Sequence, residues 1–278
     1  MTPEITICIL HYDKIDRLKN TIEKIKRHTD SDYRIKILNN GFVNKRITNY
    51  LNSISNSKKI TVEFNNENVG CPPGRNKLLK KIDTEYVMTL DDDMYVEDNW
   101  FSKIEHVFES NSEIGVIGIP YHEDNNGTRG GRKVSIQSGT IHIDEINWDN
   151  ISKSDSYITV DDVPGGAMVM RSEVLNDFQW DPQYKVGFGD IDKSLQLMET
   201  EWTQVMATDV RFTHDVSTDE DYQKVRRDYK ERQQSYKRFR NKWGYRYPPK
   251  RHVIYEYFFT LPWSVMNKIE QLYRLTSD

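Results

Sequence analysis

Three consecutive carboxylates, Asp91-Asp92-Asp93, follow directly on an apolar run from Tyr86 to Leu90. Acids packed at one point of a chain repel one another unless a cation sits among them, and hard divalent ions take such oxygen ligands. A hydrated acidic turn or a helix cap carries the same residues without a metal, and the run alone does not choose between the two. Further along, Gly187-Phe188-Gly189-Asp190-Ile191-Asp192 sets two acids at a helix start behind a permissive glycine turn. That pattern suits capping or general-base work. Phe212-Thr213-His214-Asp215 ends a short apolar stretch with a polar pair, where the histidine is either structural or a ligand. Asn68-Val69-Gly70-Cys71-Pro72-Pro73-Gly74-Arg75-Asn76 brings glycines, a guanidinium fork and an amide to a helix start. Such a setting suits a diphosphate, although an ordinary loop with an exposed arginine reads the same way.

These residues need elements to position them. Ile5 to Leu10 predicts a buried strand, and Asp16 to His28 carries Leu18, Ile22 and Ile25 at helical spacing behind an Asp16 cap. Tyr33 to Leu38 predicts a second strand, ending in the turn Asn39-Asn40-Gly41. Lys45 to Ile54 predicts a helix, Ile60 to Phe64 a strand, Gly74 to Ile82 a helix and Tyr86 to Leu90 a fourth strand. Strands alternating with helices at this spacing imply a mostly parallel sheet, whose ligands bind beyond the carboxyl ends of the strands. Asn39, the loop from Asn65 and Asp91 then share one rim. In the second half, Ile114 to Ile119 and Val134 to Ile143 predict strands on either side of a polar, Gly-rich loop from Glu123 to Arg132. Glu145 to Asp155 reads as loop, Val163 to Met170 as a strand opened by Pro164-Gly165-Gly166, and Asp190 to Met198 as a helix.

The chain has 278 residues, 29% charged and 36% hydrophobic, enough for one large α/β domain with or without an appendage. Cys8 and Cys71 are its only cysteines, too few for a disulfide framework or a cysteine metal site, so a reducing compartment is expected. Met1-Thr2-Pro3-Glu4 runs straight into the first strand without the features of a signal peptide, which points to the cytoplasm. Val253 to Met266 is broken by Glu256 and Pro262 and falls short of the ~20 apolar residues a membrane span needs. Membrane contact is therefore expected to be peripheral, at the inner face. Residues 222–252 hold twelve Lys and Arg against two acids, a local charge of +10 in a chain whose net charge is −4. A solvated helix packed by its aromatics, or a surface for an anionic partner, both account for that stretch.

Taken in order from about Ile5 to Asp215, these pieces resemble the glycosyltransferase family 2 pattern on the GT-A fold. They include the Asn-x-Gly…Arg-Asn loop, the Asp-x-Asp cluster, Gly165-Gly166-Ala167, the Gly-x-x-Asp-x-Asp helix start and the closing histidine. Asn241-Lys242-Trp243-Gly244 is also similar to a tail seen in many bacterial members. The resemblance implies a GT-A, Rossmann-like, mostly parallel sheet with flanking helices and a C-terminal basic helical extension. Residues 1–218 would form the catalytic domain, with a nucleotide-binding half at 1–95 and an acceptor and sugar half at 96–218, and 219–278 the extension. It further implies a nucleotide-sugar donor bordered by His11, Asn39, Asn68, Gly70, Arg75, Asn76, Asp91, Asp92, Gly165 and Gly166. Asp91 would lie nearest the ribose or base, and the two glycines would admit the donor sugar. Asp93, with Asp91 and His214, would hold a divalent metal, Mn2+ or Mg2+. Asp190 would be the base of an inverting displacement, with Asp192 as its fallback, although Gly189 stands where the family often has Glu. The family usually has Asp where this chain has Asn39, and that Asp accepts a hydrogen bond from uracil. Asn39 keeps a carbonyl acceptor, so UDP is the implied nucleotide.

The resemblance favours a bacterial cell-surface glycan or glycolipid as acceptor. Residues 222–252 suit a lipid-linked acceptor on a membrane, an acidic glycan or nucleic acid, and a phage-type enzyme that glycosylates hydroxymethylated DNA bases is the rival. A nucleotidyltransferase is a competing class, but it would show a glycine- and basic-rich loop after the first strand, where this chain reads His11-Tyr12-Asp13-Lys14. A non-catalytic sugar-nucleotide-binding relative is the third reading, and the pairing of Asp190 with the Asp cluster speaks against it.

Overall fold

The periodicity of the first ninety residues builds one half of a sheet. In the computed structural model, residues 4–216 and 229–247 are described, apart from 43, 125 and 153. The chain runs β1 (Ile5–His11), α1 (Ile15–His28), β2 (Tyr33–Asn39), α2 (Lys45–Ile54), β3 (Ile60–Phe64), α3 (Cys71–Leu78) and β4 (Tyr86–Asp91). It continues with β5 (Met94–Tyr95), α4 (Trp100–Ser110), β6 (Ile114–Gly118), β7 (Tyr121–Glu123), β8 (Gly127–Arg129), β9 (Arg132–Gln137) and β10 (Thr140–Glu145). The last elements are β11 (Tyr157–Val160), β12 (Ala167–Arg171), α5 (Gly189–Met198), β13 (Thr203–Ala207), β14 (Phe212–His214) and α6 (Tyr229–Trp243).

Eight strands form the main sheet in the order β11-β13-β6-β12-β4-β1-β2-β3. β1 pairs in parallel with β2 and β4, β2 with β3, and β6 with β13. β12 is inserted antiparallel between β4 and β6, and β11 lies antiparallel on β13. The sheet is thus mainly parallel, as expected, with two reversed strands that periodicity alone does not reveal. Its layers hold because each crossover helix turns an apolar stripe inward. On α1, Leu18, Ile22 and Ile25 are buried, each side chain worth roughly 1.5–3 kcal/mol relative to exposure.

Several expectations need correction. α3 begins at Cys71 rather than Gly74, with Pro72 and Pro73 in its first turn, where proline's fixed φ and missing N–H cost nothing. Asp16 does not cap α1; it sits inside the first turn and pairs with Arg46 at 2.6 Å. The stretch Val134 to Ile143 is a hairpin rather than one strand. Ser138 and Gly139 both take positive φ, 48° and 75°, and reverse the chain between β9 and β10. The loop expected at Glu123 to Arg132 contains the end of β7 and all of β8. Absent from the expected elements is α4, whose Trp100, Phe101, Ile104, Val107 and Phe108 are all fully buried.

A second sheet, β5-β14-β7-β8, is built from strands of two or three residues. A third cluster packs α5, the β9–β10 hairpin and α6 through Ile141, Tyr184, Ile191, Leu195 and Phe239. Among the described residues, no helix is long and apolar enough to cross a membrane. The expected span-like stretch from Val253, like the basic residues at 222–228 and 248–252, lies outside the described residues.

Candidate functional site

Strand register sets the rim. Parallel pairing puts His11 beside Asn39 and Leu10 beside Asp91, so the carboxyl ends of β1, β2 and β4 finish together. Across the rim, β12 pairs Ala167 with Leu90, which brings Gly165 and Gly166 over the end of β4. The Asp91 N–H donates to the Gly166 carbonyl at 2.8 Å, and Thr89 Oγ1 donates to the Gly165 carbonyl at 2.7 Å.

Arg75, buried on α3, is the hinge of the charged residues. Its Nη2 donates to Asp91 Oδ1 at 2.9 Å, its Nη1 lies 3.4 Å from Asp190 Oδ1, and its guanidinium stacks 5.4 Å from the Trp180 ring centroid. The end of β4 and the start of α5 are thereby joined at one guanidinium. The glycines permit this. A β-carbon on Gly165 would stand 2.3 Å from Arg75 Nη1 and 2.9 Å from Asp190 Oδ1, and one on Gly166 would stand 2.6 Å from Asp91 Oδ2. Their small size therefore makes room for this ion-pair chain. The Asp190 side chain is 36% exposed, accessible to an acceptor. Burial works to raise its pKa, but Arg75, Arg132, Lys193 and the Gly165 backbone outweigh that and hold it below the usual carboxylate range.

The three acids of the cluster divide. Asp91 is engaged by Arg75 through Oδ1, and its side chain is 40% exposed. Asp92 meets the fully buried His11 at 2.5 Å, and its carbonyl accepts from Thr21 Oγ1 at 2.9 Å. Its carboxyl is raised by burial, against the contact with His11, with Asp93 and Asp91 adding to the rise. His11 and Asp92 thus hold each other, with the Asp92 side chain 21% exposed. Asp93 faces the small sheet: His214 Nε2 lies 3.6 Å from its Oδ1 and Arg17 Nη1 3.8 Å from its Oδ2. Arg17 also bonds Asp215, which in turn accepts from Tyr95 Oη at 2.8 Å.

The amides expected at the donor are mostly structural. Asn39 closes its own turn, donating from Nδ2 to the Phe42 carbonyl at 3.0 Å and accepting from the Phe42 N–H at 3.3 Å. Each polar atom keeps further capacity, the oxygen a second lone pair and the nitrogen a second hydrogen. Asn40, one residue on, ties the turn to the loop through Asn65, Asn68, Val69 and Gly70. Asn68 also accepts from the Gly70 N–H at 2.9 Å, and Asn76 donates to the Trp180 carbonyl at 2.7 Å. Asp192 is fully buried and accepts from Tyr184 Oη, Gln196 Nε2, Lys242 Nζ and Trp243 Nε1. Its lone pairs are filled, which removes it as a fallback base. Beside the site, sequence reasoning passed over Asn40, Arg17, Glu123 and the exposed Tyr12, which meets Phe42 edge-on at 5.2 Å. Asn40 lies within the turn Asn39-Asn40-Gly41; Glu123 was hidden because β7 is three residues long.

Among the described residues, no three of His, Cys, Asp and Glu are placed to hold a metal by themselves. Asp93 and His214 nonetheless offer a carboxylate oxygen and an imidazole nitrogen converging on one space. A two-ligand set fits ions such as Mg2+ and Mn2+, which take one or two protein groups and complete their shell with substrate phosphates and water.

The model of glycosyl transferase family 2 matches residues 6–178, more than half of the chain. Among solved structures, the chain is similar to a crystal structure of GalNAc-T7 with UDP, GalNAc and Mn2+, at 13% identity and a TM-score of 0.63. That likeness covers 94% of this chain and 58% of that one. It is also similar to S. aureus TarS, at 13% identity and a TM-score of 0.57, over 80% of this chain and 38% of that one. At this identity both likenesses speak to the fold, and the chain spans less than two thirds of either relative. No curated protein matches it by sequence.

Proposed function

The chain belongs to glycosyl transferase family 2 and is a transferase of glycosyl groups; from that premise we propose that it is a metal-dependent, inverting enzyme that uses a UDP-sugar. The observation that carries this reading is the convergence, on one rim, of Arg75 and Asp91, the accessible Asp190, and the pair Asp93 and His214. Asp190 accepts the proton of the acceptor hydroxyl as its oxygen attacks the anomeric carbon. Attack from the face opposite the departing diphosphate inverts the centre. Asp93 and His214 would hold the divalent ion, which when bound supplies positive charge to the leaving diphosphate. Arg75 orients Asp91 and Asp190 together, the exposed Tyr12 offers an aromatic face for the base, and Asn39 keeps a lone pair and a hydrogen for uracil. GalNAc-T7, with its UDP and Mn2+, is consistent with that choice of nucleotide and metal.

The acceptor we favour is a bacterial cell-surface glycan or glycolipid, reached from the cytoplasm or the inner face of the membrane. Part of the basic stretch is turned inward: Arg238 bonds Asp181 and Lys242 bonds Asp192, so these two charges hold α6 in place rather than face a polyanion. The test is a panel of nucleotide sugars assayed for nucleotide release with and without Mn2+, on the unaltered chain and on Asp93→Asn. UDP-sugar turnover that needs Mn2+ and collapses in the variant is expected; near-normal turnover by Asp93→Asn overturns the metal assignment. Tight, salt-sensitive binding to duplex DNA would move the acceptor to the DNA-modifying class.

A further inference from the structure

His214 has two ring nitrogens, and only one faces Asp93. The other, Nδ1, lies 2.8 Å from Glu123 Oε1. β7 runs parallel to β14 with Phe212 opposite Tyr121 and Thr213 opposite His122, so the next step of the register brings Glu123 alongside His214. The Glu123 carboxylate is itself fixed: it is 8% exposed, and its second oxygen accepts from Asn126 Nδ2 at 2.7 Å. The Tyr121 ring meets the imidazole edge-on at 5.2 Å and limits its rotation. A neutral imidazole that donates from Nδ1 carries its lone pair on Nε2, which is the nitrogen turned to Asp93.

We propose that Glu123 is a positioning residue for the metal site: by accepting the Nδ1 proton of His214, it fixes the tautomer and ring plane that present Nε2 beside Asp93. This rests on the reading of Asp93 and His214 as metal ligands. Carboxylates in this position orient ligating histidines and raise their donor strength, and their loss costs about 10- to 100-fold in metal affinity. The plain alternative is an ion pair that staples β7 to β14, which would contribute to stability and leave metal binding unmoved.

A double-mutant cycle separates the two. Mn2+ is titrated into the full chain, with UDP present, and free Mn2+ is read by electron paramagnetic resonance for the unaltered chain, Glu123→Gln, Glu123→Ala, His214→Ala and the double alanine variant. Glu123→Ala is expected to weaken Mn2+ binding about 10- to 100-fold. Glu123→Gln, whose amide oxygen still accepts from Nδ1, should weaken it less. In the His214→Ala background the second substitution should add no further loss, because its whole effect passes through the ring. Unchanged binding by Glu123→Ala, or losses that simply add, overturns the role of Glu123 while leaving the metal site standing. Unchanged binding by His214→Ala overturns the ligand assignment itself and this inference with it.

Discussion

Asp190 and Arg75 are joined closely enough that each fixes what the other can do. Asp190 must be ionised to take a proton, and with its pKa held below the usual ~3.9 it remains so well into acid. The acidic limb of kcat/KM set by this group is therefore expected below the ordinary carboxylate range. Arg75→Gln removes the strongest of the lowering charges while burial still pushes upward, so the limb should move to higher pH, whatever rate remains. A limb that stays in place assigns the base elsewhere. Asp190→Asn itself should lower turnover by roughly 10²- to 10⁴-fold in a steady-state assay. The neighbouring glycine gives an independent check. In Gly165→Ala the new β-carbon meets the tips of Arg75 and Asp190, flexible ends that can yield, so melting should show a stability loss of at most about 1–3 kcal/mol. Turnover should fall far more, roughly 100-fold, because both groups are displaced. Gly41→Ala should behave oppositely, losing mainly stability: Gly41 has φ +87°, and its β-carbon would stand 2.0 Å from the Glu67 backbone, which cannot step aside. Types and spacing made Asp91, Asp93, Asp190 and His214 legible as candidates. What they could not show is which partner each acid has: Arg75 holds Asp91, and Lys242 and Trp243 of α6 hold Asp192.

At the scale of elements, α6 is bolted to the start of α5. Lys242 and Trp243 reach the buried Asp192, Arg238 reaches Asp181 at 2.7 Å, and Phe188, in the left-handed region at φ 62°, packs against Tyr236, Phe239 and Tyr247. A bulky residue keeps that conformation only where its surroundings over-determine it, and here they are supplied largely by α6. Trp243→Phe leaves a buried carboxylate short of one donor and should cost about 1–3 kcal/mol in urea denaturation. Lys242→Met removes its counter-charge and should cost about 3–5 kcal/mol. Because Asp190 lies in the same turn as Asp192, both variants should also lose turnover with little change in Mn2+ affinity, since His214 sits in a small sheet whose strands pair with one another. Equal loss of metal binding would show that the two sides of the site are not separable. Helices α1 and α2 and strands β1 to β4 were legible because each repeats its period over five or more residues. Strands β5, β7, β8 and β14 are two or three residues long, and their pairing is set by the partners they meet across 120 residues of chain.

For the whole molecule, the candidate site draws Asp91 from the main sheet, His214 from the small sheet and Asp190 from α5. A ligand that touches all three can bind only the folded chain, so its binding free energy appears as stability. At about 100 times its Kd a donor adds roughly 2.7 kcal/mol, which for a domain of this size shifts Tm by roughly 5–10 °C. UDP with Mn2+ should produce that shift, and UDP with a chelator a smaller one, because the phosphates would then lack the ion that joins them to Asp93 and His214. In Asp93→Asn the Mn2+-dependent part should vanish while the shift from UDP alone persists, since Arg75 and the rim formed by β1, β2 and β4 are untouched. A Mn2+-dependent shift of full size in that variant would mean that the ion is held by the nucleotide alone. The small sheet would then have to be explained by its packing on α1 and β4 and not by the donor.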